Sequence, residues 1–423
     1  VFKYILKLPD LRKRLLFTMA MIAVTRVGTF ISVPGIDISG LKGMFAAGAS
    51  NSLLGFVDLF SGGALTNFSI FSMGIIPYIN ASIIMQLLAI ITPSLKELLE
   101  EGEAGRKQMA QYTRYLAIAL AFVQSIAVAV SFISSNLITV NSMYFNYFWF
   151  IVVCAISMVA GSAFIMWVAE IITTRGIGNG ASLVIFTGIV SRMPMYISST
   201  LKVILGPTSL IGVGFLVAIM IVVIMGIVVI QEAVRKIPVQ YAKRIVGNKM
   251  YGGQATYIPL KINQGGVLPI IFASSMLMFP AMIAQVLPFM QGFATALNPG
   301  GGWYMGLFAF LIFFFTYFYT AITFNPKELA DNIQKYGGFI LGVRPGQPTA
   351  QYLDKIISML TFMGATFLAI IAILPSITAN VTKIYTFMGL GGTALLIMVG
   401  VAMDLMKQID MAIVNSKYEG LIQ

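Results

Sequence analysis

"SIFSMGIIPYINASIIMQLL", Ser69–Leu88, carries no charge and is apolar enough to lie in a bilayer. A membrane-crossing helix needs about 20 mostly apolar residues, and this stretch supplies them. Yet it holds Gly74, Pro77, Asn80, Ser82 and Gln86, which a plain anchor does not need. Gly74 and Pro77 are expected to loosen the backbone ladder of the helix. The polar side chains are expected to bond to neighbouring helices, each bond worth roughly 0.6–2 kcal/mol. The other reading is a helix that moves against a neighbour, or meets water part of the time. The stretch "NQGGVLPIIFASSMLMFPA" (263–281) has the same mixture, with Gly265, Gly266, Pro269, Ser274, Ser275 and Pro280. Two such helices suggest a shared interface that opens.

The rest of the chain points to lipid as its main solvent. Of its 423 residues 58% are hydrophobic and 10% charged, with a mean hydropathy of +0.90. Soluble domains carry about 25% charged residues. Ten apolar runs are long enough to span, near 15–33, 70–92, 112–133, 146–171, 181–199, 209–231, 267–289, 303–324, 356–375 and 385–404. The fifth is the weakest, because Arg192 and Pro194 interrupt it. If the amino terminus is cytoplasmic, and Arg114 and Arg192 are counted with the loops nearest them, 22 of the 27 Lys and Arg residues fall on the cytoplasmic side and 4 outside, with Arg26 inside the first run. That asymmetry places both termini in the cytoplasm and supports an even number of spans. The net charge of +12 suits anionic lipid headgroups, or an acidic or nucleic-acid partner.

Several chemistries are excluded. There is no histidine, which removes His-based acid–base catalysis and the usual triads. Cys154 is the sole cysteine, so neither an internal disulfide nor a thiolate metal cluster is possible. No cofactor is expected. The basic amino terminus runs directly into an apolar run without an A-x-A-like site, so no cleavable leader is expected. The glycines of "TTRGIGNGAS" (173–182) lie between two spans and not after a strand, so a tight turn feeding the fifth span is expected and not a dinucleotide loop.

Three connections are long. Residues 232–266 and 325–355 carry basic residues beside Tyr, Gly and Pro, and "ATYIPLKIN" after a Gly-Gly turn reads as half of a β-hairpin. Such loops are either solvated positive-inside segments or functional ones. Before the second span, Leu53–Phe60 is apolar but too short to cross, and Asp58, Gly62 and Gly63 break it. It reads equally as a re-entrant segment or as an amphipathic helix on the outer surface. Ile75 and Ile79 lie four apart, as do Ile185 and Ile189, so each pair shares a helix face, although that spacing alone says nothing of a pore.

"SIFSMGIIPYINASIIMQLL", "RGIGNGASLVIF", "YAKRIVG", "LKINQGGVLPIIFASS", "NPKELADNIQKYGGFILGVRPG" and "GGTALLIMVGVAMD" occur in that order, followed by "NSKYEG". Together they resemble the SecY family, the large subunits of the bacterial protein-conducting channel. The resemblance implies an all-α polytopic membrane protein. Ten transmembrane helices form two pseudo-symmetric halves, 1–200 and 201–423, around an hourglass pore. It implies a pore ring of Ile75, Ile79, Ile185, Ile189, Ile271 and Ile397. It implies a plug at about 51–68, with Leu53, Leu54, Phe56, Val57, Asp58, Leu59, Phe60, Gly62 and Gly63. The lateral gate would be formed by the second and seventh helices, with Asn80, Gln86, Ser274 and Ser275. Docking of the motor ATPase SecA or of the ribosome falls to Lys243, Arg244, Lys249 and Arg344. The implied partners are SecE, SecG, SecA, the ribosome, secretory and membrane-protein precursors and anionic lipids, in the bacterial cytoplasmic membrane. Leu341 stands where the family favours Pro, and Arg26 has no role assigned by the resemblance.

Two other classes are weighed against a passive channel. A secondary transporter built from inverted repeats usually needs an ionisable residue near the midplane. Glu170, Glu232 and Asp404 all lie towards the ends of runs. An intramembrane enzyme would need histidine, paired intramembrane aspartates or a nucleophile elbow, none of which is present.

Overall fold

The computed structural model describes residues 9–46, 53–134, 146–204, 210–241, 244–246, 249–251, 255–286, 292, 301–382 and 391–422. The chain is mostly helical. In order come α1 (Pro9–Gly28), α2 (Ile38–Ala46), α3 (Leu53–Ser61), α4 (Ile76–Ile91), α5 (Pro93–Glu100), α6 (Glu103–Ser134), α7 (Tyr147–Arg175), α8 (Gly180–Ile204) and α9 (Leu210–Glu232). Then follow β1 (Val234–Tyr241), β2 (Arg244–Val246), β3 (Lys249–Tyr251), β4 (Ala255–Lys261), α10 (Leu268–Val286) and α11 (Gly302–Thr323). The chain ends with α12 (Pro326–Lys335), β5 (Gly338–Ile340), α13 (Gln347–Thr382) and α14 (Gly392–Ile422).

Each of the ten apolar runs overlaps one helix, namely α1, α4, α6 to α11, α13 and α14. By length and composition, five helices among the described residues can cross a membrane, and a sixth if α4 and the start of α5 are counted as one span bent by 106°. Val217–Glu232 and Leu268–Met278 are apolar but shorter.

The opening stretch folds differently from a uniform helix. Residues 62–75 form a series of turns, and α4 begins at Ile76 with Pro77 in its first turn. Pro77 therefore sits where its missing N–H costs nothing, and its fixed φ favours the helix. Gly74 has a φ of +54° and ends the preceding turns. The two residues expected to weaken the helix instead define its start. The reason is that the chain must first return from α3.

Helix packing sets the neighbours of the seam. α4 lies on α6, α6 on α7 and α7 on α8, while α11 lies on α10 and on α13. α10 also packs against α4 and α6, and α14 against α8 and α9. The turn between α7 and α8 is closed by side chains. Gly180 N donates to Thr173 Oγ1 at 2.9 Å, and Asn179 Oδ1 accepts from Ala181 N at 3.0 Å and Ser182 N at 3.4 Å. A Cβ at Gly180 would lie 1.9 Å from the Ala169 carbonyl oxygen, so glycine is required there. The tight turn expected from "RGIGNG" is what the chain forms.

The two long loops meet in one sheet of order β4-β1-β5. β1 pairs antiparallel with β4 from Val234↔Lys261 to Gln240↔Ala255, and with β5 from Val239↔Ile340 to Tyr241↔Gly338. Alternation along β1 buries Ile237 and Val239. They join Leu260, Ile340, Ile333 and Leu353 in a separate apolar cluster beneath the sheet.

Candidate pore, plug and lateral seam

The six expected ring isoleucines come from four helices. Ile75 precedes α4 as its N-cap and Ile79 lies in its first turn; Ile185 and Ile189 lie on α8, Ile271 on α10 and Ile397 on α14. All are buried, from 0% exposed at Ile397 to 7% at Ile79, and all belong to one continuous apolar cluster. Val57, Leu59 and Phe60 of α3 belong to the same cluster. A cavity of about 650 Å³ lies beside it, with Ile79, Ile185 and Ile271 on one wall. Ser82, Gln86, Asn179 and the Arg114–Glu170 ion pair (2.7 Å) also line it, together with Trp167, Leu268 and Phe272. The cavity wall is therefore mixed, apolar side chains alternating with hydroxyls, amides and one ion pair.

α3 holds the expected plug residues Leu53, Leu54, Phe56, Val57, Asp58, Leu59 and Phe60. The side chains of Leu53, Leu54 and Phe56 lie outside the described set, and Val57, Asp58, Leu59 and Phe60 are buried. The helix packs against α8 and α10. A Cβ at Gly188 of α8 would lie 2.6 Å from the Phe60 carbonyl oxygen, so this approach needs glycine. Gly62 and Gly63 end α3 with φ of +67° and +92°. The return segment is tied down by bonds from Val33 N to Phe68 O (2.8 Å) and from Ile70 N to Ile31 O (3.0 Å). Phe68 is fully buried and meets Phe132 edge-on at 5.2 Å.

Polar residues absent from the sequence-based site surround α3. Arg192 Nη2 donates to Asp58 Oδ2 and, at 2.6 Å, to Thr66 Oγ1. Thr66 N donates to Asp58 Oδ1 at 2.7 Å. Arg26 Nη1 donates to Ser191 Oγ at 2.9 Å and to the Gly62 carbonyl at 3.3 Å. The signal for both arginines was a charge inside an otherwise apolar run, which needs a partner.

Across the seam the expected gate residues are distributed unevenly. Gln86 Nε2 donates to Ser82 Oγ (3.2 Å) and Ser274 Oγ to the Ile271 carbonyl (2.9 Å), each within its own helix and not to a neighbouring helix as expected, because both acceptors lie one turn earlier on the same face. Ser275 and Asn80 are buried, and Asn80 Nδ2 has no partner among the described residues. Gln86 shares its cavity wall with Leu268, Ile271 and Phe272 of α10 and not with Ser275.

Of the expected docking residues, Lys243 lies outside the described residues, while Arg244 is on β2 and Lys249 on β3. Arg344 is exposed between β5 and α13, and its carbonyl accepts from Thr349 Oγ1 at 2.8 Å. Glycines at 342 and 346, with φ of +83° and +94°, shape this turn, and Val343 N closes it on Ile340 O at 3.1 Å. Leu341 is 65% exposed, so the turn forms without the proline.

The SecY family model matches residues 69–406. The protein translocase subunit SecY of Thermotoga maritima is 44% identical over 426 residues, covering 100% of this chain and 97% of that one. Two solved structures share the fold. A protein conducting channel aligns with a TM-score of 0.65 and 20% identity over 96% of this chain and 92% of that one. Sec61 in the canine ribosome-channel complex from the endoplasmic reticulum aligns with a TM-score of 0.61 and 18% identity over 96% and 92%. The order of the motifs, the packing of α10 on α4 and α6, and this relationship along the whole length place the chain in the SecY family.

Proposed function

We propose that this chain is the pore subunit of a protein-conducting channel in the bacterial cytoplasmic membrane, with both termini cytoplasmic. The carrying observation is the buried cluster in which six isoleucines from four helices meet the α3 segment. A narrow apolar collar expels water and so blocks ions. It offers no fixed polar contact, so an unfolded polypeptide passes without being held. Residues 1–200 and 201–423 act as two halves, and the α4–α10 contact is the seam through which hydrophobic segments leave for lipid.

The chain performs no chemistry in this scheme. The driving force comes from SecA or the ribosome, docked on Arg244, Lys249 and Arg344 together with Lys243. SecE and SecG complete the assembly, precursors are its cargo, and anionic lipids meet its basic loops. A precursor stalled during transport should crosslink to a photoreactive residue at position 79. Crosslinks confined to residues outside the isoleucine cluster would overturn the pore assignment.

A further inference from the structure

Both half-buried arginines inside apolar spans reach the same place, the turn that ends α3. We propose that Arg26 and Arg192 form a two-cation latch that holds α3 in its seat, with Asp58 as the anion that must be released when the channel opens. The proposal rests on the reading of α3 and Gly62-Gly63 as the plug.

The geometry favours a latch over a scattered set of polar contacts. Arg192 grips both limbs of the segment, since it bonds to Asp58 on α3 and to Thr66 on the return, and Thr66 N closes the triangle on Asp58. The Arg192 and Asp58 side chains are only 13% and 8% exposed, so salt screens the pair weakly. Asp58 is the one acidic residue between Asp37 and Glu97, so this anion is supplied by the segment that must be held. Arg26 takes the other end. It donates to the Gly62 carbonyl beyond the last turn of α3, where unpaired carbonyls carry partial negative charge and favour a cation.

The double glycine fits the same purpose. A Cβ at Gly62 would lie 2.2 Å from Arg26 Nη1, and one at Gly63 would lie 2.8 Å from Arg192 Cζ. Both positions also have positive φ, so the turn admits the guanidiniums and the backbone shape together. The seat holds two cations and one anion. Withdrawal of α3 leaves Arg192 without its carboxylate and Arg26 without the Gly62 carbonyl, and that imbalance draws Asp58 back once a translocating chain has left.

The test uses the assembled channel in planar bilayers and reads idle ion conductance. A chain with residues 53–61 replaced by a Gly-Ser linker gives the level for a lost plug. Asp58→Asn and Arg192→Gln should each raise conductance roughly tenfold or more, because each leaves a buried charge or dipole without its partner. The double variant should leak no more than the leakier single, since one latch is lost once. Arg192→Lys keeps the charge and should retain most of the seal, whereas Arg192→Met keeps only the bulk and should not. If the linker chain leaks and the single variants do not, the plug reading stands and the latch falls. If the linker chain is also silent, the plug reading falls and takes the latch with it. Additive leaks in the double variant, or equal leaks from the Lys and Met variants, would also overturn the latch.

Discussion

The isoleucine cluster and the α3 seat lie side by side and are built on opposite principles. The cluster contributes Ile75, Ile79, Ile185, Ile189, Ile271 and Ile397, all buried and without a polar atom beyond the backbone. The seat contributes two arginines, an aspartate, Thr66, Ser191 and two glycines, joined by bonds with fixed directions. Apolar contact scales with buried area and has no preferred direction, so a collar of this kind re-forms around whatever it meets. Charged hydrogen bonds demand particular partners, so a segment held by them returns to one position. The first arrangement suits a seal and the second suits a stopper with an address.

The comparison predicts different responses to substitution. The largest effect should come from polar groups in the collar. Ile185→Asn with Ile397→Asn removes two buried side chains worth about 1.5–3 kcal/mol each, so idle conductance should rise roughly tenfold per position. Wild-type conductance in planar bilayers would break the contrast, because the collar would then not be the seal. A smaller effect is expected at the notch that receives α3. Gly188→Val overpacks the contact with the Phe60 carbonyl at a cost of about 1–3 kcal/mol, which should raise the leak and lower the melting temperature of the purified channel. Unchanged leak would mean that α3 tolerates displacement, and the seat would lose its claim to precision.

The smallest effect on closure should come from a third region. Arg344 is exposed on the turn between β5 and α13 and is part of neither arrangement. Arg344→Glu should leave folding stability within about 0.5 kcal/mol of the parent and idle conductance unchanged. It should weaken ribosome binding and reduce the salt slope of log K by about 1 if Arg344 meets a phosphate. Normal binding with normal ATP-driven transport would remove this turn from the docking surface.

Much of the fold was legible because lipid imposes long uniform runs. All ten runs overlap helices, and the hairpin look of "ATYIPLKIN" became β4 paired with β1. The misreading of Gly74 and Pro77 came from treating residues 70–92 as one helix. Composition cannot tell a helix interior from its first turn when the preceding turns are equally apolar. Membership of β5 in the same sheet was not legible either, since nothing local in "GGFIL" names a partner about a hundred residues earlier. The seat was half legible. Arg26, Arg192 and Asp58 each stood out as charges in apolar surroundings, but 134 residues separate Asp58 from Arg192, and sequence position carries no measure of depth.

The shared sheet has a mechanical consequence. β1 follows α9 almost directly, β4 leads through Ile262–Val267 into α10, and β5 precedes α13. Ile262 N is pinned to the Ala233 carbonyl at 3.0 Å, so the base of the hairpin is closed. Tugging on any one strand therefore moves the roots of three helices together, and one of them forms a wall of the seam. A handle of this shape passes its pull to the first turn of α10, where Ile271 sits, so the door and the collar are worked by one lever.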